Sequence, residues 1–203
     1  MCYTKKEKVI KMHIYLSGDS LIARHEGYQQ PILNHLLKEK DASIKITNTA
    51  VPGINSQQFL QQYNKLGPNQ NFDYLVVLLG TNDLATHKQI SLEQFKININ
   101  EIITRLLKKY HSQQIILVSP PPVDENKQQF RTNHLVLTYS KILEEECAAY
   151  NLKFLSLYQL LSNQEVPVTQ LLQGTLDDGL HFGGTAYSIF SDALYELFVD
   201  RKY

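Results

Sequence analysis

Strand-like runs and helix-like periods alternate along this chain from one end to the other. The first apolar run covers residues 13–17 and breaks off at Gly18-Asp19-Ser20. A helical period over about 28–40 follows, with Ile32, Leu33, Leu36 and Leu37 on one side. Residues 44–47 read as a short strand that alternates apolar with polar, and Asn48 to Gly53 read as a loop. Asn55 or Ser56 then caps a helix reaching about Leu66, which Gly67-Pro68-Asn69 ends. Residues 74–79 are apolar on both faces, as in a central parallel strand, and stop at Gly80-Thr81-Asn82-Asp83. Ser91 and Gln94 have the spacing of a capping box and open a helix carrying Phe95, Ile99, Ile102, Leu106 and Tyr110. A buried strand over 115–119 ends at Pro120-Pro121-Pro122, and a helix is expected near 131–150, with Leu135, Tyr139, Ile142, Leu143 and Tyr150 inward. A fifth strand over 152–157, a less regular stretch and an amphipathic helix over 186–199 complete the pattern.

This alternation predicts an α/β fold in which a five-stranded parallel sheet carries helices on both faces. The first, third and fourth strands are the most continuously apolar, while the second and fifth are short and partly polar. Polar strands belong at the edges, which fits the order 2-1-3-4-5.

Composition narrows the class. A chain of 203 residues fits one domain, long enough to bury about 70% of its extended surface. Residues 1–11 read as a short tail before the first strand. Twenty basic and twenty acidic residues cancel, so there is no electrostatic footprint for nucleic acid or an anionic membrane. No run of eighteen apolar residues exists to span a bilayer. The N-terminus only faintly resembles a secretory leader: Lys11 and His13 interrupt its apolar run, and no small-residue cleavage site precedes Gly18. Cys2 and Cys147 are too few and too far apart for a disulfide framework or a CxxC metal site. A reducing, cytoplasmic setting is the expectation.

In a parallel sheet the loops leaving the strands share one edge, where open α/β sheets bind ligands. Ser20 would stand there with its hydroxyl exposed, as a nucleophile. Gly-Asp-Ser is also ordinary turn chemistry, so its weight depends on its company. Asp178-Gly179-Leu180-His181 places a carboxylate three residues before an imidazole. In a tight turn that carboxylate reaches Nδ1 and leaves Nε2 free as a base. By chance alone the spacing arises in roughly one such chain in four, so it too needs support. Asn82, after the most buried strand, can aim its amide at an oxyanion, and Gly53 can donate a backbone N–H that no side chain blocks. Taken singly, these are a turn residue and a loop glycine. Asp19 and Asp83 read as braces for their loops, and Asp177 as solvated. Arg24 and His25 read as a solvated helix entrance. His87 and His134 lie near the same edge but have no carboxylate at this spacing.

It is the conjunction, in this chain order, that carries weight. With Ser20 in Gly-Asp-Ser-Leu, Gly53, Asn82 in Gly-Thr-Asn-Asp and His181 in Asp-Gly-Leu-His, the chain resembles the SGNH (GDSL) hydrolase superfamily over nearly its whole length. The resemblance implies a flavodoxin-like αβα sandwich and a Ser20–His181–Asp178 triad. It also implies an oxyanion hole from the Ser20 and Gly53 N–H groups and the Asn82 side chain, and no metal or organic cofactor. Ser119-Pro120-Pro121-Pro122-Val123-Asp124 and the Asp-Gly-Leu-His segment look like the isoamyl acetate-hydrolysing esterase branch. Ala50 departs from the pattern, many relatives having glycine there, which touches loop shape more than chemistry.

The expected function is hydrolysis of small carboxylic esters, short-chain or acetyl, through an acyl-enzyme on Ser20. Lysophospholipid, thioester and sugar O-acetyl substrates stay open on the same residues, as does oligomeric state. A non-catalytic flavodoxin-like binding module is the rival of another class. A phosphorylated receiver would want paired acids after the first strand and a lysine after the fifth, and the chain has neither. Gly-Asp-Ser, with its acidic member, makes a poor phosphate nest for a flavin.

Overall fold

A computed structural model describes residues 12–199. In chain order the elements are β1 (His13–Gly18), α1 (Ser20–Ala23), α2 (Ile32–Lys40), β2 (Lys45–Asn48), α3 (Ser56–Gln61), α4 (Tyr63–Leu66) and β3 (Tyr74–Leu78). They continue with α5 (Leu92–Leu107), β4 (Ile115–Val118), α6 (Asn133–Ala149), β5 (Lys153–Leu155), α7 (Leu157–Ser162), α8 (Val168–Leu171) and α9 (Gly184–Val199). The sheet has five strands in the order β2-β1-β3-β4-β5, every pairing parallel. The order anticipated from strand polarity is the order found. The tail assigned to residues 1–11, with Cys2, lies outside the described residues.

Strand alternation splits the core in two. Tyr15, Leu75, Val77, Ile115 and Leu117 face one way, against Phe59 of α3, Phe95 and Ile102 of α5 and Tyr139 of α6. Ile14, Leu16, Val76, Leu78, Ile116 and Val118 face the other, against Leu33 of α2, Leu157 of α7 and Phe190 of α9. Both sheet faces are covered, giving three layers. β3 and β4 are buried almost throughout, whereas β2 and β5 are only half-buried, as edge strands are.

Several boundaries differ from the sequence reading. The helix expected from 28 begins at Ile32, because Pro31 holds the residue before it out of helical geometry. The helix expected to run unbroken to Leu66 breaks at Gln62, whose φ of −103° and ψ of 14° interrupt it. No glycine or proline marks that break. β1 extends one residue further, to Gly18, and β2 is shifted one residue, to Lys45–Asn48. β3 and β4 each stop one residue early, and β5 ends at Leu155 rather than 157, since Ser156 already caps α7.

Helix caps show a similar mixture. Asn55 makes a full capping box with Gln58. At Ser91 only half of the expected box forms: its hydroxyl accepts from the Gln94 N–H at 3.2 Å. The Gln94 side chain instead donates to Asn98 at 2.9 Å. The helix expected from 131 starts at Asn133, capped by Thr132, which leaves Arg131 in the loop before it. α9 begins two residues early, at Gly184.

Candidate active site

The chain leaves β1 toward β2 on one side of the sheet and toward β4 from β3 on the other. A crevice therefore opens at the carboxyl ends of β1 and β3. Ser20 follows the first of these strands and Asn82 the second.

At the end of β1 the backbone passes very close to its neighbour. Gly18 has φ +146°, and a Cβ there would stand 2.3 Å from the Leu78 carbonyl oxygen. Only glycine fits, so the strand can turn at once into α1. Asp19 caps that short helix by accepting from the Leu21 N–H at 2.9 Å, which sets Ser20 as its first residue. Tyr187 of α9 donates to the Leu21 carbonyl at 3.0 Å and pins the same turn from below. The brace assigned to Asp19 is present.

Ser20 Oγ lies 2.9 Å from His181 Nε2, and His181 Nδ1 lies 2.8 Å from Asp178 Oδ2. The other Asp178 oxygen, Oδ1, accepts from the Leu180 and His181 N–H groups, each at 3.0 Å. The carboxylate is thus folded back over its own turn, which is how a residue three positions away reaches the ring. Burial pushes the Asp178 carboxyl up, but its hydrogen bonds to His181 and the imidazole beside it outweigh this and leave it below the usual range. Burial holds the His181 imidazole below its ordinary value of 6.5, with Asp178 opposing and the Arg24 charge assisting. The ring is neutral at pH 7. Hydrogen-bonded on Nδ1 by a carboxylate, it carries its proton there and presents Nε2 as the acceptor.

The amide of Asn82 meets three segments. Its Nδ2 donates to the Ile54 carbonyl at 3.0 Å and lies 3.5 Å from Asp19 Oδ2. Its Oδ1 accepts from Arg131 Nη2 at 3.4 Å. Asn82 thus touches the neighbour of Ser20 and the neighbour of Gly53, drawing both loops to one place. Gly53 is exposed and has φ +78°, with open space where a Cβ would stand. There the backbone angle, not crowding, favours glycine. No hydrogen bond of its N–H is found among the described residues.

Asp83 braces its loop as expected. It accepts from the Ser56 N–H at 3.0 Å and from the Ser56 hydroxyl, tying the start of α3 to the end of β3. Burial pushes the Asp83 carboxyl up, against the pull of Ser56. Burial likewise pushes the fully enclosed Asp19 carboxyl up to about 6, against the pull of the Leu21 N–H and the Arg131 charge.

One assignment changes. Arg24 is no solvated helix entrance: its side chain is 18% exposed and paired with Glu26, which is 5% exposed. Arg24 also donates to the Thr175 hydroxyl at 2.7 Å, and Glu26 accepts from the Thr175 N–H at 2.8 Å. The pair clasps the turn after α1 to the segment leading into Asp178. His25 beside it is exposed, as read. Asp177 is exposed, as read, and also forms a surface ion pair with Lys127 at 2.6 Å. His87 stacks near Phe130, with ring centroids 4.4 Å apart, and His134 is exposed on α6.

Sequence reasoning missed Arg131 and Gln128. Arg131 donates to the Thr81 carbonyl at 2.9 Å, besides its contact with Asn82. Gln128 donates to the Asp178 carbonyl at 2.6 Å. Neither sits in a motif, and no local pattern distinguishes them from a solvated loop.

Comparison with known proteins follows the same lines. The sequence model of the GDSL-like lipase/acylhydrolase family matches residues 16–189. The isoamyl acetate-hydrolyzing esterase of Saccharomyces cerevisiae is 31% identical over 140 residues, covering 63% of this chain and 57% of the yeast enzyme. The chain thus matches little more than half the length of that relative. Among solved structures, a lipase/acylhydrolase from Enterococcus faecalis superimposes with TM-score 0.80 at 26% identity, over 92% of this chain and 95% of that one. An acetylxylan esterase from Geobacillus stearothermophilus shares the fold, with TM-score 0.72 at 14% identity over 93% and 94% of the two chains. A family match that begins within β1, at residue 16, and runs past His181 into α9 settles the class: the chain belongs to the GDSL-like lipase/acylhydrolase family.

Proposed function

We propose that the protein is a serine esterase that hydrolyses small carboxylic esters, short-chain or acetyl, through an acyl-enzyme on Ser20. The observation that carries this reading is the unbroken run of hydrogen bonds from Ser20 Oγ to His181 Nε2 at 2.9 Å and from His181 Nδ1 to Asp178 at 2.8 Å. A hydroxyl bonded to a neutral imidazole, itself oriented by a carboxylate, is the arrangement of an activated nucleophile.

In this mechanism Ser20 Oγ attacks the ester carbonyl carbon while His181 Nε2 takes the hydroxyl proton. The carbonyl oxygen becomes an oxyanion, collected by the Ser20 and Gly53 N–H groups and the Asn82 amide. The second N–H of Asn82 has only the long 3.5 Å contact to Asp19, at the limit of a hydrogen bond, and is the one free to turn to the oxyanion. The carbon–oxygen bond to the alcohol then breaks, and His181 delivers its proton to the departing oxygen. Water, deprotonated by the same imidazole, repeats the sequence and releases the acid. Asp178 stays ionised throughout. The name of the yeast relative supports a small ester as substrate.

The test is hydrolysis of a p-nitrophenyl ester series, acetate to palmitate, by the wild type and Ser20→Ala. The expected result is activity on the shortest esters that the substitution abolishes. Equal activity in the two proteins would remove Ser20 as nucleophile, and a long-chain optimum would replace the small-ester reading with a lipid-directed one.

A further inference from the structure

Arg131 sits in the loop between β4 and α6, which touches both halves of the site, and each of its three side-chain nitrogens donates a hydrogen bond. Nε donates to the Thr81 carbonyl at 2.9 Å. Nη1 donates to Gln128 Oε1 at 3.0 Å, and Nη2 to Asn82 Oδ1 at 3.4 Å. Gln128 passes the connection on, donating from its own amide to the Asp178 carbonyl at 2.6 Å. The Asp124 N–H adds a second tie, to the Gly179 carbonyl at 2.8 Å.

An asparagine amide has two orientations related by a half-turn, and only one serves an oxyanion. With Oδ1 toward Arg131, all three neighbours of Asn82 are satisfied. Turned over, the amide would set its N–H₂ against the guanidinium, a group with donors and no acceptor. Its oxygen would then face the Ile54 carbonyl and the Asp19 carboxylate, two acceptors. The carbonyl and carboxylate already disfavour that state, and the guanidinium adds a positive charge against it.

We propose that Arg131 is a positioning residue. It holds the Asn82 amide with its N–H₂ toward the reacting centre and, through Gln128, ties that amide to the turn bearing Asp178. The inference rests on the proposed role of Asn82 at the oxyanion. Planar forked geometry is needed for it, so lysine cannot replace arginine fully.

The experiment is a double-mutant cycle on a p-nitrophenyl ester with Arg131→Met, Asn82→Ala and both together. Asn82→Ala is expected to lower kcat by about 10²–10³. Arg131→Met is expected to lower kcat by about tenfold or more with KM nearly unchanged, an effect acting only through the transition state. In the Asn82→Ala background the same substitution should cost less than about twofold, because nothing is left to orient. Arg131→Lys should restore part of kcat. A residue that merely held the loop would lower both backgrounds alike.

Full additivity, or an unchanged kcat in Arg131→Met, would overturn the proposal while leaving the esterase reading intact. An unchanged kcat in Asn82→Ala would remove the oxyanion role and this inference with it, and Ser20→Ala would still report on the nucleophile. If the methionine variant does not fold, Arg131→Lys enters the cycle in its place, and the same coupling or additivity decides.

Discussion

The two halves of the site are built on opposite plans. On one side, the turn from Asp177 to His181 makes its own geometry: Asp178 bonds the N–H groups of Leu180 and His181 and the His181 ring, all within three residues. On the other, the Asn82 amide is held by groups from Asp19, Ile54 and Arg131, which come from three separate loops. The contacts between Asp178 and His181 are local, although the turn that makes them is seated against Asp124 and Gln128. An amide held from three directions needs the whole sheet edge assembled first. The first plan concentrates function in a few residues, and the second spreads it over the fold.

That contrast can be broken by substitution. The largest effect is expected at Asp178→Asn, which keeps the turn's shape but favours the wrong imidazole tautomer. In kinetics on a short p-nitrophenyl ester it should lower kcat by about 10⁴ while the unfolding midpoint moves little. A large loss of stability would show that this turn is not self-sufficient. Asp83→Ala acts on the distributed side. It leaves the buried Ser56 N–H and hydroxyl without the carboxylate, and should destabilise the protein by about 1–3 kcal/mol in urea unfolding. Its effect on kcat should be far smaller than that of Asp178→Asn, and the reverse ranking would erase the distinction.

The smallest effect is in pH dependence. His181 must be neutral to act as base, and burial holds it below 6.5. The acid limb of kcat/KM is therefore expected to fall below pH 6.5, with activity lost only as pH drops through the lowered value. A limb centred above 6.5 would mean that Asp178, which pulls the value up, outweighs burial.

Legibility in the sequence follows the same division. The strand order could be read because buried strands must be apolar on both faces and edge strands need not be, as β3 and β2 illustrate. Asp178 and His181 could be found because their geometry is local and their spacing is its record. Asn82 and Gly53 emerged only as members of a set, and the motifs supplied that set. Arg131 could not be found. Helical periodicity absorbed it into α6, whereas Thr132 caps that helix and Asn133, two residues beyond Arg131, starts it. Thr81 and Asn82, the partners that bring it to the site, lie 50 and 49 residues away, so nothing near it in the chain records those contacts. Arg24 failed for the same reason, since Thr175, to which it donates, is 151 residues distant.

Gly18 illustrates a separate point about how such an enzyme tolerates change. The Leu78 carbonyl occupies the place of any side chain it might acquire. A saturation library selected for activity would thus find it irreplaceable, for reasons of backbone proximity alone. Gly53, with free space around it, offers the engineer more latitude, limited by its backbone angle and not by a neighbour. Intolerance at the first position and partial tolerance at the second would map where two strands meet, and neither would identify a reacting group.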